Sequence, residues 1–416
     1  MKFVNKNAGK RLFAALALVG VSSMAMAADT IRIASVDAMS GPVGNLGTDT
    51  YNAEQIAVDE INAAGGIKSM GGALLELVPY DTESKVQTGQ LQTERAISEG
   101  AVMILGTAQS SVTMGTTTVA ERAKIPHIVT GSAADSITDR GYKFTFRILV
   151  TSTLVASTYV QKLEEIFAQY GRKPESVVVV FEDSAYGQSN SKRYTKAFGD
   201  AGIKYQELSF KTGSTDLSGL ASRLRRVDAD AMIYAGYVKD VVTLVEALRE
   251  ADVNFDYVNT SVGTTDPAFM KAIGADDAEG YIGIQYFNPN VSAPGNPDGP
   301  QKFYDSYRER FGRDPGLTSA MGYTAVRIAY KALEATGSTD PEALRAVLAD
   351  LELRPEDGHI LPYESVKFDE TGQNVNANSP WAQIINGRLE IVAPAENATA
   401  KPLLPMPTWA EKEAKR

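Results

Sequence analysis

The order of short apolar runs and amphipathic stretches restricts this chain's fold more than any other feature. Ile31-Arg32-Ile33-Ala34-Ser35-Val36 reads as a strand. Residues 51–62 read as a helix, with Ala53, Ile56, Ala57 and Ile61 at helical spacing and Gly65-Gly66 to stop it. A strand at 74–80 completes a β-α-β unit. The alternation continues with a helix at 88–99, a strand at 101–105, a helix at 113–123 and a strand at 126–130. After Arg147 a second series begins with a helix at 152–170 and the apolar strand 176–181. It runs on through a helix at 190–201, a strand at 204–210, a helix at 218–227, a strand at 231–235, a helix at 238–251 and a strand near 257–260. Strands that alternate with helices in this way build parallel sheets with helices on both faces. The expected fold class is therefore α/β, as two doubly wound, mostly parallel-sheet lobes. Helices at 301–311, 319–335 and 341–351 complete a lobe already begun. Asn386-Gly387, between apolar runs at 382–385 and 388–392, signals a two-residue hairpin.

The first 27 residues differ in kind. Lys2, Lys6, Lys10 and Arg11 precede an apolar run at 12–21, and Ala25-Met26-Ala27 offers small residues for cleavage. That order marks an export signal, and its apolar core is too short for a bilayer, which needs about 20 residues. The 416-residue chain carries a formal charge of -10, and without those four basic residues the remainder stands at -14. An acidic surface argues against nucleic acid or an anionic membrane as partner. The sequence has no cysteine, which excludes disulfides, thiolate metal sites, thiol catalysis and a cysteine-linked lipid anchor. Two histidines, His127 and His359, are too few for a histidine-built zinc site, so neither metal nor cofactor is expected.

Candidate binding groups gather where strands end and helices begin, at the edge where open α/β sheets bind ligands. Gly41-Pro42-Val43-Gly44-Asn45-Leu46-Gly47 is one such turn; it lacks the spacing of a nucleotide fingerprint and serves equally as a tight β-to-α connection. Gly106-Thr107-Ala108-Gln109-Ser110-Ser111 brings hydroxyls to a helix start and suits a carboxylate. One serine there would be an ordinary N-cap; several favour a ligand. Gly131-Ser132-Ala133-Ala134-Asp135 reaches the same edge. In the second lobe Tyr186 and Tyr237 offer an apolar face with a hydroxyl, suited to a small amphipathic molecule or to packing between lobes. No G-x-S-x-G elbow or H-E-x-x-H motif is present, so catalysis is not expected.

The chain resembles type I periplasmic solute-binding proteins of the leucine/isoleucine/valine-binding kind over nearly all of its length beyond residue 27. The resemblance rests on Ser40-Gly41-Pro42, on Asp59-Glu60-Ile61-Asn62-Ala63-Ala64-Gly65-Gly66-Ile67, on Asp81, and on Gly106 with Ser110-Ser111. Tyr186-Gly187, Gly213-Ser214-Thr215-Asp216-Leu217-Ser218, Tyr234-Ala235-Gly236-Tyr237 and Phe368-Asp369-Glu370-Thr371-Gly372 complete it. It implies a first lobe of residues 29–148 plus 283–356, a second of 149–282 plus 357–416, and a three-crossing hinge. It also implies a periplasmic, monomeric carrier that closes like a clamshell on a small solute and delivers it to an inner-membrane ABC permease. By the same resemblance Ser110 takes the ligand carboxylate, Ser132 and Ala134 contact it from the next loop, and Tyr186 and Tyr237 approach from the second lobe. Gln109, Ser111, Leu46, Gly263 and Thr264 join the candidate ligand-binding set.

Two departures shape the expected solute. Ala134 stands where amino-acid binders commonly place a threonine. The run Thr260-Ser261-Val262-Gly263-Thr264 has no glutamate for the ligand's ammonium. A buried ammonium without an acid is costly. Either Glu182, Asp183 or Asp240 reaches in, or the solute is an apolar or aromatic carboxylate. Two other readings compete: a ligand-sensing receptor subunit, and an exported α/β hydrolase using Ser110 or Ser132 with His127 or His359.

Overall fold

The structure, a computed structural model, describes residues 30–289, 295–378 and 380–415. The expected export signal at 1–27 lies outside the described residues. The chain opens with β1 (Thr30–Asp37), α1 (Gly44–Ala63), β2 (Leu74–Asp81), α2 (Val86–Ser98), β3 (Met103–Leu105), α3 (Ser110–Ala123), β4 (His127–Val129) and β5 (Thr145–Arg147). Its five strands form one parallel sheet in the order β2-β1-β3-β4-β5. A second series follows: α4 (Ser152–Ala168), β6 (Ser176–Glu182), α5 (Ala185–Asp200), β7 (Lys204–Phe210), α6 (Ser218–Leu224), β8 (Ala231–Ala235) and α7 (Val238–Glu250). It ends with β9 (Tyr257–Asn259), α8 (Pro267–Ile273), α9 (Ala275–Ala278) and β10 (Ile282–Ile284).

The chain then returns to the first lobe as α10 (Gly299–Phe311), α11 (Ser319–Thr336) and α12 (Pro341–Asp350), with α11 packed along α1. The short strands β11 (Glu352–Leu353) and β12 (Val366–Lys367) pair with each other. Last come β13 (Trp381–Ile385), β14 (Arg388–Ala393) and α13 (Trp409–Glu413). The hairpin β13–β14 adds antiparallel strands to the second sheet, in the order β14-β13-β10-β9-β8-β6-β7. Asn386 and Gly387 both adopt positive φ, 51° and 70°, as a two-residue turn requires.

Burial follows position in the sheet. Interior strand β6, between β8 and β7, hides Val177, Val178, Val179 and Val180 almost completely, because helices cover both faces of a parallel sheet. Edge strand β7 exposes Lys204, Tyr205, Gln206 and Glu207, and charge on an edge deters further strand pairing. In each lobe one helix also packs tightly onto the strand before it. A Cβ on Gly47 of α1 would lie 2.0 Å from the Ala38 carbonyl oxygen, and one on Gly187 of α5 would lie 1.9 Å from that of Glu182. Glycine is needed at both places for close approach alone.

The lobe boundaries differ from the expected ranges at two points. Ile282–Ile284 is a strand of the second sheet, so the return to the first lobe follows residue 284 rather than 282. Residues beyond 356 do not pass directly to the second lobe. Phe368 packs on Phe146 with ring centroids 5.3 Å apart, Arg147 N donates to Gly372 O at 2.7 Å, and Asn374 N donates to Arg147 O at 3.0 Å. The chain joins the second sheet at Trp381.

Candidate functional site

The carboxyl ends of the two sheets face each other, and the loops that leave them meet. Asp37, the last residue of β1, is fully buried and accepts the amides of Ala38 at 2.8 Å and Ala108 at 2.9 Å through Oδ1. This bond draws the β3–α3 loop over the end of β1 and fixes where α3 begins. Burial pushes the Asp37 carboxyl up to about 6. Ser110 then opens α3, whose preceding residue Gln109 supplies no side-chain cap. Ser110 Oγ accepts the Ala134 amide at 3.3 Å, so the first residue of α3 touches the loop after β4. The Gln109 Oε1 atom is buried without a hydrogen bond.

The first-lobe hydroxyls divide into two groups. Ser132 Oγ donates to Thr107 O at 2.8 Å and lies 2.6 Å from Thr113 Oγ1. Thr113 and Thr107 also share a hydroxyl contact. The hydroxyl of Ser132 is thus engaged inside its own lobe. Ser110 remains at the interface, facing Tyr237 of the second lobe; Ser111 is half-buried beside it. Tyr237 Oη lies against the Ser110 amide and Ser184 without a well-aligned hydrogen bond. Its ring meets that of Tyr186 at 5.3 Å. Tyr186 Oη and Tyr194 Oη converge on Ser261 Oγ at 3.3 and 3.0 Å.

Between the lobes is an inner cavity lined by Leu46, Ala108, Leu149, Tyr186, Tyr237 and Tyr286, with Val262, Leu317 and Met321 adding further apolar surface. Of the predicted residues, Leu46, Tyr186 and Tyr237 line it; Ser110 and Ala134 lie buried where their loops meet, at the Tyr237 face. Gly263 packs beside Val241, and Thr264 Oγ1 bonds Thr260 Oγ1 at 2.7 Å and Ile282 O at 3.1 Å within the second lobe. The cavity volume is about 20 Å³, room for one water, which needs ~10–15 Å³, and not for a solute. The lobes are closed on each other. Arg193 Nε of α5 bonds Asp135 Oδ2 of the first lobe at 2.7 Å, and Asp135 Oδ1 accepts the Thr153 amide at 3.0 Å.

Among the described residues, no carboxylate lines the inner cavity. The three acids named from sequence all have local partners. Glu182 accepts Ser184 N at 2.7 Å, Ser184 Oγ at 2.6 Å, Gly187 N at 2.8 Å and the Thr212 hydroxyl. Asp183 accepts Thr212 N at 2.9 Å, and Asp240 accepts Gly213 N at 3.1 Å. The histidines are core residues: burial lowers both to about 4, so they are neutral. His127 Nε2 pairs with Gly106 O at 2.9 Å, and among the described residues no hydrogen bond joins either histidine to Ser110 or Ser132. A hydrolytic serine–histidine pair is therefore not assembled.

Sequence reasoning missed three parts of the cleft. Tyr286 follows β10, a strand of three residues with no periodicity to read. Leu317 just precedes α11 and Met321 lies in its first turn, a helix that sequence alone places far from the first helix. Arg147 is the third: fully buried, it donates to Gln373 Oε1 at 2.6 Å, Ala134 O at 2.6 Å and Thr138 Oγ1 at 2.7 Å, tying the binding loop to two crossing segments. Burial lowers its guanidinium to about 10.

The model of the periplasmic binding protein family matches residues 30–388. A leucine-, isoleucine-, valine-, threonine- and alanine-binding protein of Pseudomonas aeruginosa is 26% identical over 370 residues, covering 88% of this chain and 93% of that protein. A Leu/Ile/Val-binding protein homolog of Brucella suis is 28% identical over 398 residues, covering 93% and 96%. Among solved structures, a leucine-binding protein of Thermotoga maritima superposes with a TM-score of 0.74 at 22% identity, covering 88% of this chain and 98% of that one. A solute-binding protein of R. palustris in complex with benzoate superposes with a TM-score of 0.72 at 17% identity, covering 92% and 98%.

Proposed function

The chain belongs to the periplasmic binding protein family, and from that membership we propose that it carries an apolar or aromatic carboxylate to an inner-membrane ABC permease. Members of this family are solute-binding components of ABC importers, not enzymes. The observation that carries the choice of solute is the inner cavity: three tyrosines and aliphatic side chains from both lobes, with no acid to receive an ammonium. A carboxylate suits the start of α3, where the Ser110 hydroxyl and backbone amides meet. In the closed form the Tyr237 phenol faces that amide, so a solute's carboxylate takes the place of a tyrosine hydroxyl. A solute that touches both lobes favours closure through contacts the open form lacks. The hinge lies at the segments that leave β5, β10 and β12, and Arg147 holds two of them to the binding loop. On this reading residues 1–27 act as an export signal and the carrier works in the periplasm as a monomer.

Thermal-shift titration of refolded protein tests the proposal. Benzoate and phenylacetate should raise the midpoint, and a ligand at 100 times its Kd adds about 2.7 kcal/mol. Tyr237→Ala should weaken them by ~2 kcal/mol, the burial of an aromatic side chain. Strong shifts with leucine and none with aromatic acids would reverse the assignment of solute.

A further inference from the structure

The inner cavity has room for one water, and the space a solute needs lies directly beside it. A hinge-side chamber of about 110 Å³ shares two walls with that cavity, Tyr286 and Leu317. A cavity of ~150 Å³ holds benzene, so the chamber comes close to the size of one aromatic ring. Both lobes build it: Tyr304 and Pro315 from the first, Pro267 from the second, with Gln285, Tyr286 and Phe287 on the segment that leaves β10.

Rings, prolines and aliphatic side chains make up most of this lining, which suits an apolar body. Asp314 is its one charged group among the described residues, and the Tyr304 hydroxyl at 2.9 Å and Arg308 Nε at 3.2 Å already hold it. Thr265 is engaged as well, since its hydroxyl donates to Ile284 O at 2.6 Å. Gln285 is different. It is 8% exposed, and its Nε2 donates to Phe287 O at 2.5 Å, yet its buried Oε1 has no hydrogen bond among the described residues. Turning the amide over would set Oε1 against the Phe287 carbonyl oxygen, acceptor on acceptor, so the Nε2 bond fixes its sense. A buried acceptor without a donor is costly, and because Gln285 lines the chamber, a molecule there can supply the donor.

We infer that the hinge-side chamber takes the far end of the solute, and that the solute is an arylalkanoate whose ring carries a neutral donor, such as a phenolic hydroxyl, received by Gln285 Oε1. This rests on the carboxylate assigned to the inner cavity: the acid stays at the start of α3, and the ring passes Tyr286 and Leu317 into the chamber. A neutral donor fits better than an ammonium, because an amide oxygen brings no counter-charge to a buried site. Gln285 is then a specificity-determining residue that reads the end of the solute opposite its acid. A solute of this length also touches first-lobe and second-lobe walls beside the hinge, contacts that favour the closed form.

Calorimetric titration of the full chain tests this with benzoate, 3-phenylpropanoate, 3-(4-hydroxyphenyl)propanoate and 3-(4-methylphenyl)propanoate, the last matching the phenol in size. The phenol should bind more tightly than its methyl match by about tenfold, the share of one buried hydrogen bond. Benzoate, too short to enter the chamber, should be the weakest of the four. Gln285→Met, which keeps the side chain's length and removes the amide, should abolish the preference for the phenol and leave 3-phenylpropanoate nearly unchanged. The ligand series on the parent chain stands even if that variant folds poorly. Equal affinity for the phenol and its methyl match, or a phenol preference that survives Gln285→Met, would overturn the inference while the carboxylate reading stands. If none of the four acids binds, both fall together.

Discussion

In each lobe the strand next to the sheet's edge ends in a buried acid at the binding edge, Asp37 on β1 and Glu182 on β6, and the two are held in opposite ways. Glu182 accepts four donors, three from the turn that follows it and one from Thr212. Asp37 accepts two amides on one oxygen and leaves Oδ2 bare. One carboxylate completes a local turn between strand and helix. The other reaches across the sheet to the Ala108 amide and sets the loop that begins α3. Equal burial therefore serves different ends: stability in the second lobe, placement of the binding loop in the first. At Asp37, with two donors on one oxygen, burial favours the neutral acid.

Removing the better-held acid should have the larger effect. Glu182→Ala strands four donors, the buried Gly187 amide and three half-buried groups on Ser184 and Thr212, and an unsatisfied buried donor costs about 1–3 kcal/mol. Denaturant unfolding should show a loss of ~4 kcal/mol, with water entering to satisfy part of the deficit. A loss below ~1 kcal/mol would erase the contrast between the lobes.

Asp37→Asn should act in the other direction. The folded chain binds the Asp37 proton more tightly than the unfolded chain, because its value rises from 3.8 to about 6. Between those pH values the unfolded state holds fewer protons, so this group's contribution to stability falls as pH rises through the window. At pH 7 the cost is about 3 kcal/mol, at 1.36 kcal/mol per pKa unit. Asparagine keeps an acceptor for the Ala38 and Ala108 amides and removes the charge. The variant should be more stable than the parent at pH 7 and equal to it near pH 3.5. A destabilised variant at pH 7 would mean that the anion itself holds the loop.

Much of this arrangement is legible in the sequence, and the rest is hidden for definable reasons. The long strands at 30–37 and 176–182 and the hairpin at Asn386-Gly387 carry strong local signals. The three-residue strands Thr145–Arg147 and Ile282–Ile284 carry none; they exist because neighbouring strands offer them partners. The pairing of β10 with β13 joins residues about a hundred apart, which no local pattern encodes. At the cleft, hydroxyls and tyrosines announce themselves by type. Which of two serines faces the partner lobe depends on Thr107 and Thr113, and that competition appears only once the loops are folded.

Ser110 and Ser132 therefore provide the finest division of the comparison. Both are fully buried, and both lie in first-lobe loops at the binding edge. The Ser132 hydroxyl donates to Thr107 O and contacts Thr113, so Ser132→Ala should cost ~1 kcal/mol of stability and leave solute affinity unchanged. The Ser110 hydroxyl accepts one long bond from the Ala134 amide, at 3.3 Å, and the Ser110 amide lies against the Tyr237 phenol. Its loss should barely move the unfolding midpoint, yet weaken a carboxylate solute by ~1.5 kcal/mol, a charge-assisted bond's share. Measured together by chemical denaturation and calorimetric titration, the two variants should exchange roles, one affecting folding and the other binding. If both change the same quantity, the loops act as a unit, and the carboxylate is held by the joined edge rather than by the residue that opens α3.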